Sequence, residues 1–159
     1  MRVSIFVDFD DTLYLHQSHW TADDDWWYSI TYGLHRDEYK FSLLNKDLIE
    51  KIQKIKNEIN DRYIVCDIFM LSATQTSVSY QAKRDYLNAA TSNLFKDYYT
   101  VSKPEDKCKM ISSIMQEGNY EKAIMIDDNY RVLCSCQDEG YLAYSPLYFE
   151  KIFTVDEII

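Results

Sequence analysis

The chain is 159 residues long, and at roughly 100–200 residues per domain that leaves room for one domain and no second full-sized one. Its 26 acidic residues outnumber 17 basic ones, for a net charge of −9. Binding to polyanions is driven by Lys and Arg, so a general membrane-surface protein is disfavoured and a long nucleic acid is an unexpected partner.

Three glycines and two prolines argue against collagen-like, linker-rich or many-turned β architectures. No stretch approaches the roughly 18 apolar residues of a membrane span. The opening apolar run at 3–7 is too short for a signal peptide and ends in acids, so a cytoplasmic location is expected. Cys66 and Cys108 are isolated and Cys134 with Cys136 form C-x-C. That pattern lacks the paired clusters of structural zinc and fits reduced thiols.

Residues 3–7 (VSIFV) read as a buried strand. Residues 12–44 hold all the tryptophans and histidines with the acidic run Asp23-Asp24-Asp25; they predict a long irregular excursion with one short helix near 26–34. Asn45 or Asp47 caps a helix in which Leu48, Ile49, Ile52, Ile55 and Ile59 recur at helical spacing. A second buried strand is predicted at 63–71, a helix at 77–90 and a short strand at 97–101. Pro104 opens a helix reaching about Gln116, with Met110, Ile111, Ile114 and Met115 inward and Gly118 as its stop. A strand at 123–126, a helix at 130–139 stopped by Gly140, a fifth strand at 141–144 and a helical turn at 154–159 complete the chain.

Continuous apolar strands alternating with amphipathic helices predict an α/β fold, a mostly parallel five-stranded sheet with helices on both faces. The whole of 1–159 is expected to be one domain, with a small flap or lid insert at about 13–44. Such sheets bind ligands beyond the carboxyl ends of their strands. The candidates are therefore Asp8-Phe9-Asp10-Asp11-Thr12, Ser72-Ala73-Thr74, Ser102-Lys103 and Asp127-Asp128-Asn129.

Asp8, Asp10, Asp127 and Asp128 follow two different strands. If those strands are neighbours, four carboxylates converge, and a cation relieves the repulsion. An all-oxygen donor set suits Mg²⁺. A hydroxyl from Ser72 and a lysine from the third strand end would add a phosphate pocket. Carboxylate nucleophile, metal, hydroxyl and lysine together describe phosphoryl transfer through an aspartyl-phosphate.

The arrangement resembles the haloacid dehalogenase-like (HAD) superfamily of phosphohydrolases. Asp8-Phe9-Asp10-Asp11-Thr12 matches its first motif, D-x-D-x-T; Ser72 matches the second; Asp127-Asp128 after Ile124-Met125-Ile126 match the fourth. The third motif is a lysine at a helix start. Lys107 is favoured and Lys103 is the alternative. The string Glu105-Asp106-Lys107 also looks like small bacterial and phage relatives of 5′(3′)-deoxyribonucleotidases. The resemblance implies a Rossmann-like sheet, with Asp8 as nucleophile and Asp10 as general acid and base. It implies that Ser72 and the lysine bind phosphoryl oxygens, with Thr12 and Ala73 beside the substrate. It also implies Mg²⁺ held by Asp8, the Asp10 carbonyl and Asp128, with Asp127 assisting.

In that superfamily, cap inserts choose the substrate. Here the insert is short, so a small phosphorylated substrate is expected, with a lid at most. Trp20, Trp26, Trp27, Tyr28 and Tyr32 crowd it; a private mini-core is the first expectation, and stacking on a nucleobase, above all by Trp26 and Trp27, is the second. His16 and His19 are expected on the surface, and Lys83-Arg84 on a solvated helix face, with substrate contact as the alternative for each pair. The competing readings are a non-catalytic phosphate- or phosphoprotein-binding module and a signalling receiver domain. The latter would carry its reactive Asp after the third strand and leaves D-x-D-x-T unexplained.

Overall fold

The computed structural model describes residues 1–16, 26–38, 40–74 and 76–159, with the backbone alone over 26–30. The expectations for His19, Trp20, Asp23, Asp24 and Asp25 lie outside the described residues, as do the side chains of Trp26, Trp27 and Tyr28. The elements run β1 (Arg2–Val7), α1 (Trp26–Asp37), α2 (Lys46–Asp61), β2 (Val65–Ala73), α3 (Ser77–Thr91), β3 (Asp97–Val101), a 3₁₀ turn (Pro104–Asp106), α4 (Lys107–Gly118), β4 (Lys122–Ile126), α5 (Tyr130–Asp138), β5 (Leu142–Tyr144), α6 (Pro146–Lys151) and a final 3₁₀ turn (Val155–Glu157).

All five strands are parallel, in the order β3-β2-β1-β4-β5. The chain starts in the middle, builds outward through β2 and β3, then returns to the other side of β1. The order therefore reverses between β1 and β4, which is where an open α/β sheet leaves a crevice for a ligand. The order also separates this sheet from the flavodoxin-like 2-1-3-4-5 arrangement of receiver domains. Here β3 is the edge strand, remote from the acids that follow β1.

Side-chain alternation along β1 divides the core in two. Val3, Ile5 and Val7 pack with Leu48, Ile52, Ile55 and Ile59 of α2 and with Tyr86 and Leu87 of α3. Phe6 faces the opposite layer, with Ile111 and Ile114 of α4 and Val132 and Cys136 of α5. Leu34 of α1 is buried in the first of these layers, and Thr31 and Ser79 hydroxyls meet at 2.9 Å, so α1 is fastened to α3. Tyr32, expected in a mini-core of the insert, is 54% exposed instead, with the Arg36 guanidinium over its ring.

Helix starts follow capping chemistry. The Asn45 side chain accepts from Leu48 N, Thr76 from Ser79 N, and Asn129 from Arg131 N and Val132 N. Where boundaries differ from expectation, the backbone explains it. β2 begins at Val65 rather than 63 because Tyr63, 99% exposed, takes φ 61° and turns the chain out of α2. The helix expected from Pro104 is a 3₁₀ turn followed by α4. The left-handed stop of α4 is Asn119 at φ 52°, not Gly118; Gly118 is needed because a Cβ there would run into the Tyr120 ring. α6 was not expected, although Ser145 caps it and Pro146 opens it. Among the described residues, no helix is long and apolar enough to cross a membrane.

One buried acid ties the loop after α1 to α3. Asp37 accepts from Ser42 N at 2.7 Å, from the Ser42 hydroxyl, from Leu43 N at 3.2 Å and from the Tyr86 hydroxyl at 2.8 Å. Burial works against its charge, but these donors win and hold the carboxyl below its usual 3.8. A carboxyl depressed by folding stabilises at pH above the unfolded value, and that contribution is lost as pH falls through the folded value. Asp37→Asn is therefore expected to cost about 2–3 kcal/mol at pH 7, the scale of hydrogen bonds to a charged group. The gap from the parent should close below about pH 4. Urea titrations across that range measure it; a pH-independent gap would contradict the charge-based account.

Candidate active site

β1 and β4 are paired with Val7 opposite Ile126. Each is followed at once by an aspartate, so Asp8 and Asp127 leave neighbouring strands at one level. Asp8 N donates to the Ile126 carbonyl at 2.9 Å, extending the pairing by one residue. The loop after Asp8 folds back on itself: Leu13 N and Tyr14 N both donate to the Phe9 carbonyl, at 3.0 and 2.9 Å. Asp11 takes the left-handed φ of 59° that this reversal needs, a conformation Asp tolerates better than most residues. The turn brings the Thr12 hydroxyl onto Asp8 Oδ2 at 3.2 Å and His16 Nε2 onto Asp10 Oδ1 at 2.9 Å.

Lys107, the first residue of α4, is 2% exposed. Its ammonium lies 2.7 Å from Asp8 Oδ1 and 2.6 Å from Asp127 Oδ2. Asp127 Oδ1 accepts from Asn129 N at 2.9 Å. Lys103 is exposed at the mouth of the preceding 3₁₀ turn, so it is Lys107 that stands between the acids. Ser72 is fully buried in the penultimate position of β2, and the Thr74 hydroxyl, just past the strand end, donates to its Oγ at 3.3 Å. Ala73, Ser102, Pro104 and Asn129 line the remaining sides of an open cleft of about 250 Å³, with Asp8, Asp10, Asp11, Lys107, Asp127 and Asp128.

Two expectations are corrected here. Lys83 is not on a solvated face: it is fully buried, with its Nζ 2.8 Å from Asp10 Oδ2, 3.0 Å from Ser72 Oγ and 3.0 Å from Thr74 Oγ1. The signal was present, because Ser79, Ala82, Lys83, Tyr86 and Leu87 form one inward stripe of α3. His16 is not a surface residue either; its side chain is 5% exposed, against the Tyr14 ring. Arg84, by contrast, is exposed.

The electrostatics are those of too many acids. Burial pushes Asp8 well above its usual carboxylate range, and Asp127 and Asp10 push it further against the pull of Lys107. Burial opposes the charge on Lys107, but Asp8 and Asp127 hold its ammonium protonated well above the usual lysine value. One ammonium shared by two carboxylates cannot neutralise both. Asp128 is exposed at its tip, yet surrounding protein strips enough water, with Asp127 adding repulsion, to bring it up to about 6. Asp10 is the exception: burial disfavours its charge, but His16 and Lys83 hold it below 3.8.

Oxygens of Asp8, Asp127 and Asp128 lie within 4.8 Å of one another. Three hard oxygen donors at that spacing, carrying unbalanced negative charge, fit a small divalent cation such as Mg²⁺.

No family model matches the chain, and no curated protein matches it. Among solved structures it is similar to a haloacid dehalogenase-like family hydrolase from Streptococcus pneumoniae, at 16% identity and TM-score 0.52 over 88% of this chain and 82% of that one. It is also similar to the HAD domain of the effector protein Lem4 from Legionella pneumophila, at 15% identity and TM-score 0.55 over 99% and 92%. An inactive mutant of that domain matches at 13% identity and TM-score 0.57 over 99% and 90%. At such identities the shared property is architecture: the chain has the α/β fold of HAD-like domains.

Proposed function

We propose that the protein is a Mg²⁺-dependent phosphohydrolase of the HAD-like superfamily, cleaving the phosphomonoester of a small molecule through an aspartyl-phosphate on Asp8. The observation that carries this reading is the Asp8–Lys107–Asp127 cluster at the strand-order reversal, with Asp10 and Ala73 lining the same cleft and Ser72 preceding Ala73 in β2. A buried carboxylate already held by Thr12 and Lys107 is a fixed nucleophile, not a surface acid.

Asp8 Oδ attacks phosphorus and the bond from phosphorus to the leaving oxygen breaks. Asp10 is held ionised in the free protein by His16 and Lys83, so it takes up a proton as the phosphomonoester binds, gives it to that oxygen, and then takes one from the water that releases phosphate from Asp8. Ser72 and Lys107 offer hydrogen bonds and positive charge to the phosphoryl oxygens as charge spreads over them. Asp8, Asp128 and the Asp10 carbonyl would hold the metal, with Asp127 assisting; when bound it supplies Lewis-acid polarisation and neutralises phosphate charge.

A cleft of about 250 Å³ suits a phosphate and little more, since pockets that enclose drug-sized ligands run to roughly 300–1,000 Å³. The rest of the substrate would lie outside it. A nucleotide-like molecule is the leading candidate, on the strength of the aromatic residues at 20–32. The acidic surface favours small phosphates over long polyanions, and a cytoplasmic location accords with free thiols.

The test is release of inorganic phosphate from an aryl phosphate, followed by a panel of nucleotides and phosphorylated metabolites. Stripping the protein with a chelator is expected to reduce turnover about a hundredfold or more, the scale of losing several kcal/mol of charge stabilisation, and Mg²⁺ should restore it. Bound phosphate with no turnover would favour a non-catalytic binding module on the same fold.

A further inference from the structure

Lys83 is a buried charge for which the proposed chemistry has no role. It is fully buried on α3, and its three N–H donors are already spent on side chains, which leaves none for a phosphoryl oxygen. Its ammonium instead meets three side chains on two segments: Asp10 Oδ2 at 2.8 Å after β1, and Ser72 Oγ at 3.0 Å and Thr74 Oγ1 at 3.0 Å at the end of β2. Lysine has three donors and no acceptor. Ser72 Oγ must therefore accept from it, and it also accepts from the Thr74 hydroxyl at 3.3 Å. With those directions filled, the O–H bond of Ser72 points away from the ammonium and is left to donate elsewhere. Asp10 is fixed in the same way, because Lys83 takes Oδ2 while His16 meets Oδ1 at 2.9 Å. Two contacts on opposite oxygens define the plane of a carboxyl group; one does not.

We propose that Lys83 is a positioning residue that sets two groups at once, the carboxyl plane of Asp10 and the hydroxyl direction of Ser72. The proposal deepens, and rests on, the phosphohydrolase reading. It makes a distinction that a merely structural ion pair does not. Misplacing Ser72 weakens the hold on phosphate for every ester. Misplacing Asp10 matters only where the leaving oxygen needs a proton, in an alkyl ester and hardly at all in a nitrophenyl ester.

The experiment compares Lys83→Met with the parent, and Lys83→Met/Asp10→Asn with Asp10→Asn, on one alkyl and one nitrophenyl phosphate. Lys83→Met is expected to lose kcat about tenfold on the nitrophenyl ester and a further ten- to hundredfold on the alkyl ester, a part of what general acid catalysis supplies. In the Asp10→Asn background, the further loss on the alkyl ester should vanish and the common loss should remain. Equal losses on both esters that persist in both backgrounds would overturn the link to Asp10. The double variant keeps the buried charges balanced; where the single one does not fold, Lys83→Gln replaces it. Thr74→Val leaves every charge in place and should show only the common loss. Crystal structures of the parent and variant give a readout independent of turnover. If the parent hydrolyses neither ester, the phosphohydrolase reading fails. The clamp is then judged by the Asp10 carboxyl alone: rotated in the lysine variant it stands, unmoved it falls.

Discussion

Asp8→Asn is expected to reduce hydrolysis of an aryl phosphate at least about a thousandfold, the scale on which loss of a covalent nucleophile is felt. The same variant should melt no lower than the parent in the absence of metal. Burial and the neighbouring acids raise the Asp8 carboxyl well above its usual value. The cost to the folded state therefore sets in as pH rises past the ordinary carboxylate value and is complete above the raised one, and a neutral amide relieves it. An asparagine can still accept the Thr12 hydroxyl, and Lys107 keeps Asp127 at 2.6 Å. Activity and stability should thus move apart. Activity assays with a thermal melt of each protein, metal-free at pH 7, check both; equal turnover in the two proteins would remove Asp8 from the chemistry.

Lys107→Met carries the largest expected effect on stability. It strands two carboxylates, Asp8 at 5% exposure and Asp127 fully buried, that now share one ammonium. Removing one partner of a buried charge cluster costs about 3–5 kcal/mol. For a chain of this length that is a fall in Tm of roughly 6–20 °C. Lys107→Met/Asp127→Asn should recover part of the loss, because it removes one of the stranded charges, and Mg²⁺ should recover part by supplying the missing positive charge. A melting temperature unchanged in the single variant would mean that Lys107 does not neutralise the site. Turnover should fall in both variants, since neither retains the ammonium facing the phosphoryl oxygens.

Much of this site could be read from the chain because its parts are local. Asp8, Ser72 and Asp127 each end an apolar strand or follow one directly, and strand ends are visible as the point where β-branched runs give way to acids and hydroxyls. Parallel pairing then brings separate strand ends together. Lys107 was legible as a helix start, and the structure places it rather than Lys103 between the acids. Lys83 lies on the inward stripe of α3, but that stripe alone does not announce a buried charge, because a helical lysine ordinarily carries its charge to water along its aliphatic stem. Its partner Asp10 stands 73 positions away in the chain, and only the pairing of β1 with β2 brings the two together. His16 was missed for a different reason. Its path to Asp10 depends on the left-handed turn at Asp11, and nothing in a polar loop announces that geometry. The short α6 was overlooked although Ser145 and Pro146 mark its start, because six residues carry too little periodicity to stand out from a loop.

Phosphorylation of Asp8 is the central claim, and trapping the acyl-phosphate tests it most directly. The protein is mixed with excess phosphomonoester and Mg²⁺, quenched in acid and reduced with borohydride, which converts an aspartyl-phosphate to homoserine, and the peptides are sequenced by mass spectrometry. Homoserine at position 8, absent without substrate and absent from Asp8→Asn, is the predicted result. Steady release of phosphate with unmodified Asp8, or with homoserine at another aspartate, would contradict the account.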